Sequence, residues 1–526
     1  MKLNIKDRKY WISGIALIVC IALFCGIWYW MNRKVNPDDV VIARIGDSEI
    51  TVKDFRLNYE FGLPNLKPGD NVTEMKRAYL NYMINEKLLA QEGYKLNLDN
   101  TQRVQELRTE LIGEEMVKSI LKYEVADKIT VSPDEIKDAI NKSSVSFKFN
   151  FWPTSSFPEA VRLREEMRKN GFMNTVQKVI KSNPEIKVDS TVFQTKELSW
   201  LDIEPDLLNV IKDLPKDQIS EPILLNSVYY LFQVTGIYRS AVMEGDYLKN
   251  APSVRKIVYN NKLKDETFKY VSSFMIPKNV VTKGGPFIIL ANALAEWKTN
   301  PIGDQLSFRD AVKSSNEKYP AMLKLKQNGT RVLTEYEGGA LTINKSLDLL
   351  DVSKIKVEPN SQYDFRKQLN QQLAQTIRDL LLAQEGSNRG YENETWVKKD
   401  IRDWMDKWVF EETRHYFTDK VNVTEGEITK YFYNHPEKYR TSKTEKPILD
   451  KFTRIKVVRD ASIAKDKTTL QTKIDSLKKL FKIEINYAVL DTLKVSQPKN
   501  RWSFLQAYQG GTGRLVVPIV DPAWGK

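Results

Sequence analysis

Two histidines, His415 and His435, and two cysteines, Cys20 and Cys25, are the whole imidazole and thiol supply of this 526-residue chain. Both cysteines lie in an uncharged apolar run over residues 11–31. The remainder can therefore form neither a disulfide nor a thiolate metal site. Two histidines without a thiolate also leave no His/Cys zinc site. Both fall in a stretch that reads as helical, where a surface position explains each, and neither is assigned to catalysis. Paired acids such as Glu114-Glu115 read as a solvated helix face. Gly284-Gly285 and Gly338-Gly339 lack the strand–loop–helix context that cradles phosphate and read as turns. No catalytic residue, metal or cofactor is expected.

Composition narrows the partners. The formal net charge of +13 is dispersed among acids as on a solvated helical surface, and no RNA- or DNA-binding motif accompanies it. Nucleic acid is not expected; anionic lipid or acidic unfolded polypeptide would suit the same charge. With 28% charged and 41% hydrophobic residues and a mean hydropathy of −0.45, the bulk resembles an ordinary soluble protein. The length allows about three or four compact domains. The run over 11–31 differs, because about twenty apolar residues suffice to cross a bilayer. Trp11 at one end and Trp28 and Trp30 at the other suit the headgroup level. Lys2, Lys6, Arg8 and Lys9 precede the run and only Arg33 and Lys34 follow, which favours a cytoplasmic N-terminus. A cleaved signal peptide is the alternative, but Ile27-Trp28-Tyr29-Trp30 is a poor cleavage site and Phe24 stands where a lipoprotein needs a small residue. The expectation is a single-pass protein of a bacterial inner membrane, with the bulk of the chain in the periplasm.

Along the rest of the chain, residues 40–50 read as strand-like with a turn at Gly46-Asp47, and Thr51 can cap a helix from Val52. Helical periodicity runs over roughly 73–92, with Gly93 at its end, and over roughly 99–128. Ser132-Pro133-Asp134-Glu135 opens another helix. Alternation over 145–152 puts Val145, Phe147, Phe149 and Phe151 on one side of a half-buried strand. Helices at about 158–169 and 207–214 and a strand at about 228–237 complete an α+β unit over 145–240.

An internal repeat organises the whole. Leu88-Leu89-Ala90-Gln91-Glu92-Gly93 recurs as Leu381-Leu382-Ala383-Gln384-Glu385-Gly386, an offset of 293 residues (88 to 381). Ser48-Glu49-Ile50-Thr51-Val52 resembles Ala340-Leu341-Thr342-Ile343, and Val131-Ser132-Pro133-Asp134-Glu135-Ile136 resembles Val423-Thr424-Glu425-Gly426-Glu427-Ile428, at nearly the same offset. Duplicated helical modules are expected. Residues 451–458 read as a strand, 469–480 as a helix and 483–490 as a strand, a shortened copy of the α+β unit. The last stretch, with Gly510-Gly511 and Gly513, reads as lacking regular structure.

The order of helical module then α+β unit resembles SurA- and PpiD-type folding factors of the parvulin peptidyl-prolyl isomerase group. In the helical module the likeness rests on Ile50-Thr51, Phe55 and Leu88-Leu89-Ala90-Gln91-Glu92. In the α+β unit, the family's Gly-Gly-Asp-Leu-Gly-Trp corresponds to Thr195-Lys196-Glu197-Leu198-Ser199-Trp200. Its Ile-Ser-x-Pro-Val corresponds to Ile219-Ser220-Glu221-Pro222-Ile223, and its closing Gly-Tyr-His-Ile to Val228-Tyr229-Tyr230-Leu231. The resemblance implies an α+β multidomain chain: an N-terminal transmembrane helix, two mainly helical chaperone-like modules and one or two parvulin-like α+β domains. The implied divisions are an anchor at 1–35, a helical module at 40–144, a degenerate parvulin-like domain at 145–240 and a helical connector at 241–329. A second helical module at 330–445, a truncated parvulin-like unit at 446–495 and a Gly-containing tail at 496–526 follow.

The departures bear on chemistry. Tyr230 stands at the family's final-strand histidine, and the first strand carries none. The peptide-binding candidates are Phe149, Glu197, Leu198, Trp200, Tyr230 and Phe232, of which Leu198 and Trp200 equally suit core packing. The implied role is an anchored chaperone for unfolded exported or outer-membrane polypeptides, beside the inner membrane and secretion machinery. An isomerase with an altered pocket and an adaptor subunit of a secretion complex are the alternatives.

Overall fold

The computed structural model describes residues 36–154, 156–183, 185, 187–225, 228–300, 306–353, 355, 362–419, 421–440, 446–496 and 517–525. In chain order, β1 (Val41–Ile45), β2 (Ser48–Thr51), α1 (Val52–Phe61), α2 (Val72–Lys95) and α3 (Gln102–Glu124) come first. Next are α4 (Pro133–Ser143), β3 (Val145–Thr154), α5 (Phe157–Asn170), α6 (Phe172–Ser182), β4 (Leu198–Ser199), α7 (Pro205–Ile211), β5 (Ile223–Leu225), β6 (Val228–Arg239) and α8 (Glu244–Met275). Then follow β7 (Val281–Thr282), α9 (Gly284–Thr299), α10 (Phe308–Ser314), α11 (Pro320–Gln327), β8 (Val332–Tyr336), β9 (Gly339–Thr342) and α12 (Ile343–Leu349). The chain continues as α13 (Gln362–Asn388), α14 (Thr395–Thr418), α15 (Glu425–Asn434), α16 (Lys451–Leu480), β10 (Ile483–Ile485) and α17 (Tyr487–Thr492). Two compact units result: residues up to Val117 with those from Asp379 onward, and Lys118–Arg378.

The repeat is visible in local geometry. The β1–β2 hairpin shifts register between Val41 and Ala43, and the β8–β9 hairpin shifts between Val332 and Thr334, both at an offset of 291 residues (41 to 332, 43 to 334). Each hairpin runs into a helix capped by a threonine: Thr51 accepts from the Asp54 N–H and Thr342 from the Lys345 N–H. Such a cap answers one of the four unpaired N–H groups at a helix start. The capping box of α4, Ser132 with Glu135, likewise recurs in α15 as Thr424 with Glu427.

The recurring Leu-Leu-Ala-Gln-Glu-Gly segment packs by exchange. Gly93 does not stop its helix, as the sequence suggests, since α2 continues to Lys95. It marks instead where α14 crosses so closely that a Cβ would sit 2.5 Å from Val409 Cγ1 and 3.1 Å from the Val409 carbonyl. Gly386, its counterpart on α13, meets α3 the same way, with a Cβ falling 2.8 Å from the Met116 carbonyl and 2.9 Å from Met116 Cβ. The second helix of each copy thus leans on the third helix of the other. The first unit's core joins Ile42, Ile45, Phe55, Tyr79, Leu88 and Leu89 to Phe410, Ile474, Leu477, Leu490 and Val520 from the far end of the sequence. Lys76, almost fully buried, clips that union by donating to the carbonyls of Leu490, Asp491 and Leu493 at 2.7, 2.8 and 3.1 Å. A lysine there answers carbonyls left open at the end of α17.

Two expectations need correction. The truncated parvulin-like unit at 446–495 is absent: residues 451–458 open the long helix α16, whose apolar residues Val457, Ala461, Leu470, Ile474 and Leu477 recur at helical spacing and are buried. The short strand β10 pairs antiparallel with β1 rather than with a second α+β sheet. The described chain is therefore mainly helical, with one α+β sheet of four strands in the order β4-β3-β6-β5 and two three-stranded ribbons. The expected N-terminal anchor, with Trp11, Trp28 and Trp30, lies outside the described residues. Among the described residues no helix is long and apolar enough to cross a membrane, so nothing in them supports the expected single-pass inner-membrane placement.

The glycine contacts set two effects against each other. Alanine favours a helix over glycine by about 1 kcal/mol, whereas forcing a methyl into a closed contact costs about 1–3 kcal/mol. Gly93→Ala and Gly386→Ala should each lower stability by up to about 2 kcal/mol in chemical denaturation, and a gain in either would mean the helices can separate freely.

Candidate functional site

In the second unit, the sheet β4-β3-β6-β5 is antiparallel throughout, with β3 and β6 paired from Val145↔Arg239 to Thr154↔Tyr229. Side chains alternate across it. Trp152 and Leu231 face α5 and α6, packing with Leu163, Met167, Phe172 and Val176. Val145, Phe147, Phe149 and Phe151 face the other way, as their alternation predicts, and meet Phe232, Val234, Ile203 and Ile211. Leu198, Trp200 and Tyr230 pack half-buried against this second face.

Five sequence candidates are therefore neighbours. Phe149 meets Phe232 edge-on at 6.1 Å between ring centroids, Tyr230 stacks on Phe232 at 5.8 Å, and Trp200 lies 5.8 Å from Phe147. Phe149 and Phe232 are buried, so the half-exposed rim is Leu198, Trp200 and Tyr230. Glu197 stands apart: it is exposed and accepts a hydrogen bond from the Ser146 hydroxyl. Thr195 fixes the loop before β4. Its N–H donates to the Phe149 carbonyl at 2.9 Å, and its hydroxyl oxygen accepts from the Phe149 N–H at 2.9 Å. The face offers rings and one phenol, with no imidazole or thiol between residues 145 and 240. His415 and His435 lie at the surface of the first unit, beside Asp419 and Glu437.

The first unit holds an ionic cluster that sequence reading missed. Lys87 on α2 reaches Asp406 at 2.7 Å and Asp403 at 3.2 Å, both on α14. Lys399 joins Asp403 to Asp54, at 2.7 Å each, and the Tyr94 hydroxyl donates to Asp406 at 3.0 Å. Lys407 pairs with Glu86 at 3.0 Å. Burial alone would raise the Asp403 carboxyl, but Lys87 and Lys399 outweigh it and hold the acid below its ordinary range. Burial would likewise lower Lys87, and Asp406 and Asp403 instead keep it well above an ordinary lysine. Every carboxylate named here is matched by a cation, which suits a strut between helices better than a proton-transfer pair. The available signal was the charged stripe Lys399, Asp403, Asp406 and Lys407 on one helix face, but the partner Lys87 lies far away in sequence. Among the described residues, no cluster of His, Cys, Asp and Glu could hold a metal ion.

No protein-family model and no curated protein matches the chain. Solved structures match parts of it. Peptidylprolyl isomerase PrsA from Bacillus anthracis is 12% identical, over 36% of this chain and 96% of its own, at a TM-score of 0.21. PrsA from Bacillus cereus is 15% identical, over 56% of this chain and 100% of its own, also at 0.21. A Campylobacter jejuni structure from work describing PEB4 and Cj1289 as SurA-like chaperones is 12% identical, over 46% of this chain and 100% of its own, at 0.20. Likeness at this level carries no functional weight, which must come from the residues themselves.

The cluster makes a pH prediction. Asp403 is depressed in the folded state, so its contribution is present above the ordinary aspartate range and lost as pH falls through the folded value. Lys87 and Lys399 are raised, so theirs is present below the ordinary lysine range and lost as pH rises through the folded values. Asp403→Asn should cost about 2 kcal/mol at pH 7, between the ranges for exposed and buried pairs. Its stability should fall less steeply than wild type below about pH 4 and begin its alkaline loss earlier. Parallel pH–stability curves for the two proteins would remove Asp403 from the cluster.

Proposed function

We propose that the protein is a folding factor that holds unfolded polypeptide and does not catalyse prolyl isomerisation. The observation that supports this most is the sheet face built from Phe149, Leu198, Trp200, Tyr230 and Phe232, which keeps an apolar rim while its histidine position carries Tyr230. Rotation about a peptide bond faces a barrier of about 18–20 kcal/mol. A phenol stacked flat on Phe232 can pack a proline ring but supplies no titrating imidazole near neutral pH.

Apolar surface elsewhere favours holding over chemistry. On α16, Phe452 is 78% exposed and Ile455 64%, with Ile463 on the same side of the helix and also exposed. Exposed apolar side chains grouped in this way commonly mark polypeptide contact. Weak apolar contacts also allow release without a nucleotide, through client folding. The clients proposed are unfolded polypeptides, with exported proteins the first class to examine.

Full-length protein at near-stoichiometric ratio should slow aggregation of a client diluted from denaturant, and Phe452→Ser with Ile455→Ser should weaken the effect several-fold. A proline-tetrapeptide assay on the same protein should give a rate within about twofold of the uncatalysed one. A rate comparable to that of an active parvulin, abolished by Tyr230→Ala, would make the protein an enzyme. One partner copurifying at fixed stoichiometry, with no effect on aggregation, would make it an adaptor.

A further inference from the structure

Residues 517–525 lie against the first unit as a guest lies against a host. Asn58, buried on α1, reads the segment's backbone twice: its amide nitrogen donates to the Pro518 carbonyl at 3.1 Å, and its amide oxygen accepts from the Val520 N–H at 3.1 Å. Glu86 on α2 takes the Asp521 N–H at 2.7 Å and the Trp524 indole N–H at 3.0 Å. Three of these four bonds involve main-chain groups, which every extended polypeptide supplies. Side chains add selectivity in three places. Val520 is buried in the core cluster, the Asp521 carboxylate meets Arg414 at 2.5 Å, and Trp524 lies between Tyr82 and Phe410 at 6.1 and 6.2 Å.

The host side also has bonds of its own. The Tyr79 hydroxyl donates to the Asn58 carbonyl at 2.7 Å, holding the start of the groove. Lys407 pairs with Glu86 and sits 4.9 Å over the Phe410 ring, holding the other end. The groove also extends past its occupant. A small cleft of about 60 Å³ continues beside Pro518 and Val520, lined by Ile50, Met83, Asp54 and Lys87. The segment contributes no strand to any sheet and ends in one short 3-10 turn, Pro522–Gly525.

We infer that this groove is a binding site for extended polypeptide carrying an apolar residue, then an acid, then an aromatic three residues on, and that residues 517–524 are its internal occupant, displaced by client. The inference rests on the folding-factor reading above and assigns that reading a place. Backbone recognition by Asn58 and Glu86 gives tolerance of sequence. Arg414 and the Tyr82–Phe410 pair give preference, and a tethered occupant sets a threshold that only concentrated or well-matched client exceeds.

The test uses the full chain with a protease site inserted between Gly510 and Gly511, and a fluorescent peptide of residues 515–526 as probe. After cleavage, the labelled peptide should exchange into the groove, and a permanently unfolded polypeptide should displace it. Asp521→Ala with Trp524→Ala, which leaves the groove untouched, should let the uncleaved protein bind the probe at least tenfold more tightly than wild type. Adding Asn58→Ala should reverse that gain. Thermal melting of the cleaved protein before and after exchange separates occupant from scaffold. Failure of the peptide to exchange, or unfolding of the first unit on its release, makes the segment part of the fold and overturns the inference. If client is held but never displaces the probe, this inference falls alone. If no variant holds client at all, the folding-factor reading falls and takes the groove with it.

Discussion

The first unit depends on two places where a helix passes so close to another that only a hydrogen fits between them. At Gly93 the limiting atoms belong to Val409, and at Gly386 to Met116. Because the two glycines are the same position of a duplicated segment, one requirement written twice ties the beginning of the sequence to its end. Everything packed around them follows: the core shared by residues of α1, α2, α14 and α16, the third strand β10 beside β1, and the Lys76 ammonium over the carbonyls of α17. Interiors packed at this density respond to a single methylene, so each contact fixes the crossing of a whole helix pair.

That interleaving also makes the groove. Asn58 and Glu86 come from the first copy and Phe410 and Arg414 from the second, so both copies contribute to holding the segment. The Lys87–Asp403–Asp406 cluster sits on the same joint, between α2 and α14, and holds it in register. The four-stranded sheet is a separate construction. Side-chain alternation gives it a core on each face, with Phe147 and Phe149 on one and Trp152 and Leu231 on the other, and Thr195 clamps Phe149.

Patterns of short range were readable in the sequence. The period-two run from Val145 to Phe151, the caps at Thr51 and Ser132, and the repeat itself all describe neighbours in the chain, where spacing determines geometry. The misreading of residues 451–458 shows the limit. Phe452, Ile455, Val457 and Val458 have strand-forming side chains, yet burial of Val457, Ala461, Leu470 and Ile474 against distant elements makes a helix there. Tertiary packing overrides local preference in such a segment. The role of Gly93 was hidden for the same reason: a glycine late in a helix reads as a stop unless the crossing helix, more than three hundred residues away, is known. Asn58 and Glu86 carry no signal of their own, because a lone buried amide or acid becomes a site only beside the chain it holds.

The central claim, that the joint between the repeats receives extended polypeptide, can be tested with a photo-reactive phenylalanine analogue in place of Tyr82. Without client, the adduct should map to residues 517–525; with saturating unfolded polypeptide, it should move to the client in proportion to suppressed aggregation. An adduct that stays on residues 517–525 while aggregation is fully suppressed would contradict the account.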